Sequence, residues 1–195
     1  MGQEQSFEYY DAMFIESSKY KTSYRTSIYL EGWQLAAKRL EMDAAFTDGY
    51  ILDVGCGTGQ FAELLYELGC SRYLGLDFSA AALNIAKARI PLWSDSFLLE
   101  DVFKTRVFTD EGYTHACIFE VLEHLNEDIS MLGLLRKGTK VLASVPNFWD
   151  PAHVRVFDTS RAVLERYESL IDISEIKEIS LSKTNSLFML YGVKL

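Results

Sequence analysis

The sequence predicts an α/β protein: a seven-stranded, mainly parallel, doubly wound sheet with an N-terminal helical lid. Three observations lead there. An apolar run, Ile51 to Val54, carries an acid at Asp53 and flows straight into alternating glycines at Gly55, Gly57 and Gly59. The residues that follow, Phe61, Leu64, Leu65 and Leu68, recur at i, i+3, i+4 and i+7, the period of a helix with one apolar face beginning at Gly59 or Gln60. Four acids, Asp53, Asp77, Asp101 and Glu120, fall at the ends of apolar runs, and open α/β sheets bind ligands outside the carboxyl ends of their strands.

The remaining elements follow in chain order. Tyr29, Trp33, Ala36 and Leu40 sit at i, i+4, i+7 and i+11, giving an amphipathic helix from about Ser27 to Met42. The stretch before it, Phe7 to Ser27, is rich in tyrosine and has no clear period; it is expected to pack its rings on the sheet or to act as a lid. Arg72 to Ser79 reads as a second strand ending at Asp77, and Ser79 caps a helix with Leu83, Ala86 and Ile90 on one face, stopped by Pro91. A third strand, SFLLEDVF, ends at Glu100-Asp101; THACIF is a fourth, TKVLASVPN a fifth. A helix from about Asp158 to Tyr167 precedes two final strands, EIKEISL and SLFMLYGVKL, expected to form a hairpin-like edge.

Composition narrows the function. With 195 residues, 49% of them hydrophobic, the chain is expected to form one domain over 1–195, with 1–44 as lid and helix and 45–195 as sheet core. A net charge of −9 and a longest basic cluster of only Arg136-Lys137 argue against nucleic acid as a partner. Cys56, Cys70 and Cys117 lie in core-like runs without a C-x-x-C pair, which reads as reduced thiols in a cytoplasmic protein. No secretory leader and no membrane-length apolar run is visible, and oligomeric state is left open.

The glycine spacing D-x-G-x-G-x-G differs from the G-x-G-x-x-G of dinucleotide sites, and an acid beside the loop would repel a pyrophosphate while suiting a sulfonium or ammonium group. ILDVGCGTGQ resembles the first motif of the class I S-adenosylmethionine (SAM) methyltransferases, whose sheet is Rossmann-like. The resemblance implies SAM as cofactor, bound by Asp53, Gly55, Cys56, Gly57 and Gly59 in the loop, by Asp77 and Phe78 after the second strand and by Asp101, Val102 and Phe103 after the third. Asp77 would accept from the ribose hydroxyls and Asp101 would meet the adenine amino group, a solvated turn being the plainer alternative for Asp101. Phe119 and Glu120 would border the methionine end, and Tyr20, Tyr24 and Arg25 of the N-terminal segment are further candidates.

Glu120, Glu123 and His124 are spaced to share one helical face, and His153 follows in the loop after the fifth strand. Two histidines with two carboxylates could hold a divalent cation, or a histidine could act as general base. E-V-L-E-H is similar to the E-x-x-E-H stretch of ubiquinone-pathway O-methyltransferases and small-RNA 2′-O-methyltransferases. That similarity implies Glu120, Glu123, His124 and His153 as ligands of Mg²⁺ or Mn²⁺, or His124, His153 and Glu120 as catalytic groups without metal. The acidic clamps of DNA-base and protein-arginine methyltransferases are absent. The expectation is methyl transfer to a hydroxyl of a small molecule, with RNA 2′-O-methylation or SAM binding without chemistry as alternatives.

Overall fold

The run ILDV forms β1 (Ile51–Val54) with every residue buried, as a strand covered on both faces requires. It belongs to a seven-stranded mixed sheet. The computed structural model describes residues 2–195, which divide into two units: Ser6–Thr105, and Arg106–Leu195 together with the N-terminal residues up to Gln5.

In the first unit the strand order is β3-β2-β1, with β2 (Tyr73–Asp77) and β3 (Phe97–Leu99) parallel to β1. The tyrosine-rich N-terminal stretch is helical despite its lack of period: α1 (Phe7–Glu16) buries only Phe14 and is followed by 3₁₀ turns at Ser18–Tyr20 and Tyr24–Thr26. The next helix, α2 (Leu30–Met42), begins three residues later than its periodicity suggests, because Leu30 N–H closes a turn onto the Ser27 carbonyl; Ala36, Ala37 and Leu40 are its buried face. After β1, α3 (Gln60–Glu67) starts where the glycines end, and Gly59 at φ +74° is its N-terminal cap. Gly59 is also a close-approach position, since a Cβ there would lie 3.0 Å from the Ala86 Cβ of α4 (Ala80–Arg89). Ser79 caps α4 as expected, accepting from Ala82 N–H at 3.1 Å.

In the second unit the order is β4-β5-β7-β6, with β4 (His115–Ile118) and β5 (Lys140–Pro146) parallel. The expected terminal hairpin is present: β6 (Ile171–Ser180) and β7 (Ser186–Lys194) pair antiparallel, and β7 inserts beside β5. Its helices are α5 (Val107–Asp110), α6 (Asp128–Leu134) and α7 (Ser160–Tyr167). The last is capped by Thr159, whose hydroxyl accepts from Ala162 N–H at 3.2 Å. Among the described residues, no helix is long and apolar enough to cross a membrane.

Candidate active site

In the first unit the glycine loop closes on itself. Gly55 and Cys56 N–H both donate to the Leu76 carbonyl, at 2.8 and 3.0 Å, and Gly59 N–H donates to Cys56 O at 3.1 Å. Gly57 N–H donates to Asp77 Oδ2 at 2.9 Å. The left-handed φ values of Gly55, Gly57 and Gly59, between +52° and +74°, turn these groups inward at a cost only glycine avoids. A pyrophosphate loop instead points its N–H groups at the ligand. Four N–H groups already have partners here, so the geometry agrees with the glycine spacing in disfavouring a dinucleotide.

Asp77 ends β2, buried, with Oδ1 accepting from Ser79 N–H at 2.8 Å. A carboxylate has about four acceptor directions, so with these backbone N–H groups bound a hydroxyl donor can still be taken. Burial lifts its pKa to about 6 against the opposing Ser79 and Gly57 N–H bonds. Asp53 sits within the sheet: it is 3% exposed, and Oδ2 accepts from the Tyr73 hydroxyl at 2.7 Å. Burial pushes Asp53 up to about 7; the Tyr73 hydrogen bond opposes this and the Asp77 charge adds to it. The Tyr73 hydroxyl and Cys56 Sγ also crowd Gly75, where a Cβ would come within 2.8 Å of both. Asp53 and Cys56 are thus parts of a buried polar cluster under the loop. Asp101 lies beyond the end of β3 in a turn of its own, accepting from Phe103 N–H at 2.9 Å and from Lys104 Nζ at 2.6 Å, with Val102 half-buried and Phe103 exposed.

The N-terminal segment is tied to this loop. Thr58 Oγ1 donates to Tyr20 O at 2.8 Å, Gln60 Nε2 to Thr22 O at 2.9 Å, and Arg89 bridges Thr58 O, Tyr20 O and Glu63. A Cβ at Gly57 would meet the Phe14 ring at 3.8 Å, and Tyr10 lies 5.4 Å from the exposed ring of Phe78. Asp11 Oδ1 accepts from Ser79 Oγ and Ala81 N–H, which joins α1 to the start of α4. Tyr24, expected at the cofactor, is buried with its hydroxyl donating to Glu67 Oε2 at 2.7 Å, and Arg25 pairs with the same carboxylate. Tyr20 packs edge-on against Phe14.

In the second unit the chemistry-bearing turn departs from the helical face its spacing suggested. Glu120 takes φ +57°, Val121 is non-helical, and only Leu122–His124 form a 3₁₀ turn, so i, i+3 and i+4 do not share a side. The cause lies on β5: Ser144 Oγ accepts from Glu120 N–H at 3.1 Å and donates to Glu120 Oε1 at 2.9 Å. That clamp, which no spacing announces, holds Glu120 apart, while Phe119 before it is buried.

Glu123, His124 and His153 do converge, with one potential ligand atom from each lying within 4.8 Å of the others. His124 Nδ1–H donates to Ala152 O and His153 Nδ1–H to Phe148 O, each at 2.9 Å. A carbonyl can only accept, so in each neutral ring it is Nε2 that carries the lone pair. Glu123 is 0% exposed and neither oxygen has a hydrogen-bond partner among the described residues. Burial, reinforced by the Glu120 charge, raises its pKa well above the carboxylate range, and burial lowers His124 to about 4. The charge of Arg155 opposes the rise at Glu123, and a carboxyl with two imidazoles is a donor set that a divalent cation accepts. Glu123, His124 and His153 therefore fit a divalent cation; Glu120, held by Ser144, is not in the group. The loop carrying His153 also borders an open cavity of about 470 Å³ lined by Gln3, Gln5, Trp149 and Asp150.

Residues 51–144 match the family model described as a methyltransferase domain. A curated relative, the mitochondrial ubiquinone biosynthesis O-methyltransferase of Dictyostelium discoideum, is 30% identical over an alignment covering 49% of this chain and 33% of that protein. The chain thus spans about a third of the relative's length. Among solved structures, the N-methyltransferase NodS of Bradyrhizobium japonicum WM9 with S-adenosylhomocysteine superposes with a TM-score of 0.69 at 17% identity, covering 96% of this chain and 99% of that one. Magnesium protoporphyrin IX methyltransferase of Synechocystis PCC 6803 with bound SAM gives 0.67 at 16% identity, covering 86% and 80%. The family match takes in just under half of the chain, from β1 into β5, and the solved structures share its fold.

Proposed function

We propose that this protein transfers a methyl group from SAM to a hydroxyl of a small molecule. The observation that carries the reading is the D-x-G-x-G-x-G loop folded onto Asp77, its N–H groups satisfied internally so that no anion is called for. In this reading Asp77 accepts from the ribose hydroxyls, the Asp101–Phe103 turn lies by the adenine, and Phe119 and Glu120 border the methionine end. Tyr24 is left to a supporting role through Glu67.

Methyl transfer forms an oxygen–carbon bond as the carbon–sulfur bond breaks, and the acceptor hydroxyl loses its proton. The chain's share is proximity, orientation and removal of that proton. His124, held near pKa 4, is a poor base at neutral pH but is already in the neutral form a metal ligand needs. A divalent cation held by Glu123, His124 and His153 would lower the pKa of an acceptor hydroxyl bound to it. Two imidazoles beside one carboxylate favour Mn²⁺ over Mg²⁺. With no cation, His153, 4% exposed and with its lone pair on Nε2, takes the role of base. The cavity beside Trp149 offers the acceptor one indole face among the polar side chains of Gln3, Gln5 and Asp150.

Calorimetry with S-adenosylhomocysteine, followed by methyl transfer from SAM to phenolic and sugar hydroxyls with and without chelator, tests the reading. Binding of the product and turnover lost to chelator but restored by Mn²⁺ are expected. Tight NAD binding without S-adenosylhomocysteine binding would refute it, and turnover indifferent to exhaustive chelation would remove the cation and leave His153 as base.

A further inference from the structure

We infer that Arg155 is the positioning residue that holds Glu123 and His124 against His153. The inference rests on the proposed role of that cluster, but its geometry lies outside the cluster itself. Arg155 Nη1 donates to the carbonyls of Leu122 and Leu125, and Nη2 donates to Asn126 O at 3.1 Å. Nη2 also lies 3.2 Å from Asp128 Oδ1. One guanidinium thus gathers three carbonyls around the 3₁₀ turn that carries Glu123 and His124, groups such a turn leaves without intrahelical partners.

The same strip of chain makes two further bonds to that turn. Val154 N–H donates to Glu123 O at 2.8 Å, and Ala152 O accepts from His124 Nδ1 at 2.9 Å. Residues 152, 154 and 155 therefore zip onto residues 122–126, and His153 lies between the rungs with its ring centroid 4.9 Å from that of His124. Of the three rungs, only Arg155 reaches several residues at once. Its planar fork suits this; a lysine ammonium has three donors at a single point.

Asp128 anchors the arrangement without depending on it. It is 0% exposed and accepts from Arg166 Nε at 2.8 Å, Arg166 Nη2 at 2.6 Å and the Tyr167 hydroxyl at 2.9 Å. Removing Arg155 leaves that buried carboxylate with an arginine and a tyrosine, so α6 and α7 stay joined while the turn loses its tether.

Two measurements on Arg155→Ala test this: the tautomers of His124 and His153 in the metal-free protein, from long-range ¹H–¹⁵N correlation at about pH 7.5, and Co²⁺ affinity from its visible absorption. The wild type is expected to show a single Nδ1–H form for each ring. In Arg155→Ala, His124 should become a mixture of tautomers and Co²⁺ affinity should fall by about tenfold to a hundredfold, the scale for lost support behind a metal ligand. Leu190→Ala in β7, 1% exposed in the wild type, serves as a destabilised control and should move neither readout. Unchanged tautomers and affinity in Arg155→Ala, or equal changes in Leu190→Ala, would overturn the inference. If Arg155→Ala fails to fold, Arg155→Lys keeps the charge beside Asp128, loses the fork and should shift both readouts the same way; no shift there overturns it equally. A wild type that takes up no Co²⁺ would sink the cation reading alone, and the tautomers would still decide for or against Arg155.

Discussion

Asp53 is a carboxylic acid held where ionisation is costly, and this makes stability depend on pH in a direction that can be stated. Its unfolded value is near 3.8 and its folded value about 7, so between those limits the folded chain holds the extra proton. The contribution is full below about pH 4 and is lost as pH rises through 7. Asp77, lifted to about 6, acts with the same sign over a lower window. A tenfold change in how tightly a proton is held is worth about 1.4 kcal/mol, so urea midpoints should fall measurably from about pH 5 to about pH 8. Asp53→Asn keeps an acceptor for Tyr73 and should flatten the upper part of that slope; equal slopes in both proteins would mean that Asp53 is ionised when folded. Asp77 carries a second prediction. Because its carboxylate braces Gly57 and Ser79 and, in the proposed function, accepts from the ribose hydroxyls, Asp77→Ala should weaken S-adenosylhomocysteine binding by about 1–3 kcal/mol and lower stability too. Affinity unchanged in a folded variant would remove Asp77 from the ribose site. At His153, loss of the imidazole should reduce kcat by about 10²-fold while leaving cofactor affinity nearly intact, and wild-type turnover in His153→Ala would shift the chemistry to another group.

At the scale of elements, α1 offers the clearest test, because an unusual contact holds it. Asp11 Oδ1 accepts from Ser79 Oγ and Ala81 N–H at the first turn of α4, so one side chain serves as tertiary tie and helix cap. Asp11→Ala should cost about 1 kcal/mol and raise amide exchange across Phe7–Glu16 while β1 stays protected. Exchange unchanged in α1 would show that its aromatic contacts alone hold it. This contact also explains what the sequence could not disclose. The glycine loop, α3, the Ser79 cap and the terminal hairpin were legible because their signals are local: a spacing, a period, a capping hydroxyl. The tyrosine-rich stretch has no such period; its helix depends on a partner 68 residues away. The E-V-L-E-H stretch misled for the opposite reason. Its spacing fits a helix face, but Ser144, 24 residues on, captures Glu120 at positive φ and turns the chain before a helix can form. Convergence of Glu123, His124 and His153 was legible from residue types; the carbonyls that fix both tautomers, Ala152 and Phe148, were not, since any backbone can supply one.

For the molecule as a whole, net charge −9 and the buried, donorless Glu123 both favour cationic ligands, and SAM and a divalent ion are each of that kind. Each ligand that binds only the folded chain should raise its stability by about 2.7 kcal/mol at about 100 times its dissociation constant. The two effects are distinguishable by where exchange slows. S-adenosylhomocysteine should protect amides of the loop from Val54 to Gln60 and around Asp77, whereas Mn²⁺ should protect those from Leu122 to Asn126 and from Ala152 to Arg155, the segments joined by the Arg155 and Val154 bonds. Ions too large or too weakly bound by imidazole, such as Ca²⁺, should protect neither. If Mn²⁺ raises the melting temperature but leaves residues 122–126 exchanging as before, the ion is bound elsewhere on an acidic surface. The convergence of Glu123, His124 and His153 would then have to be explained by proton chemistry alone.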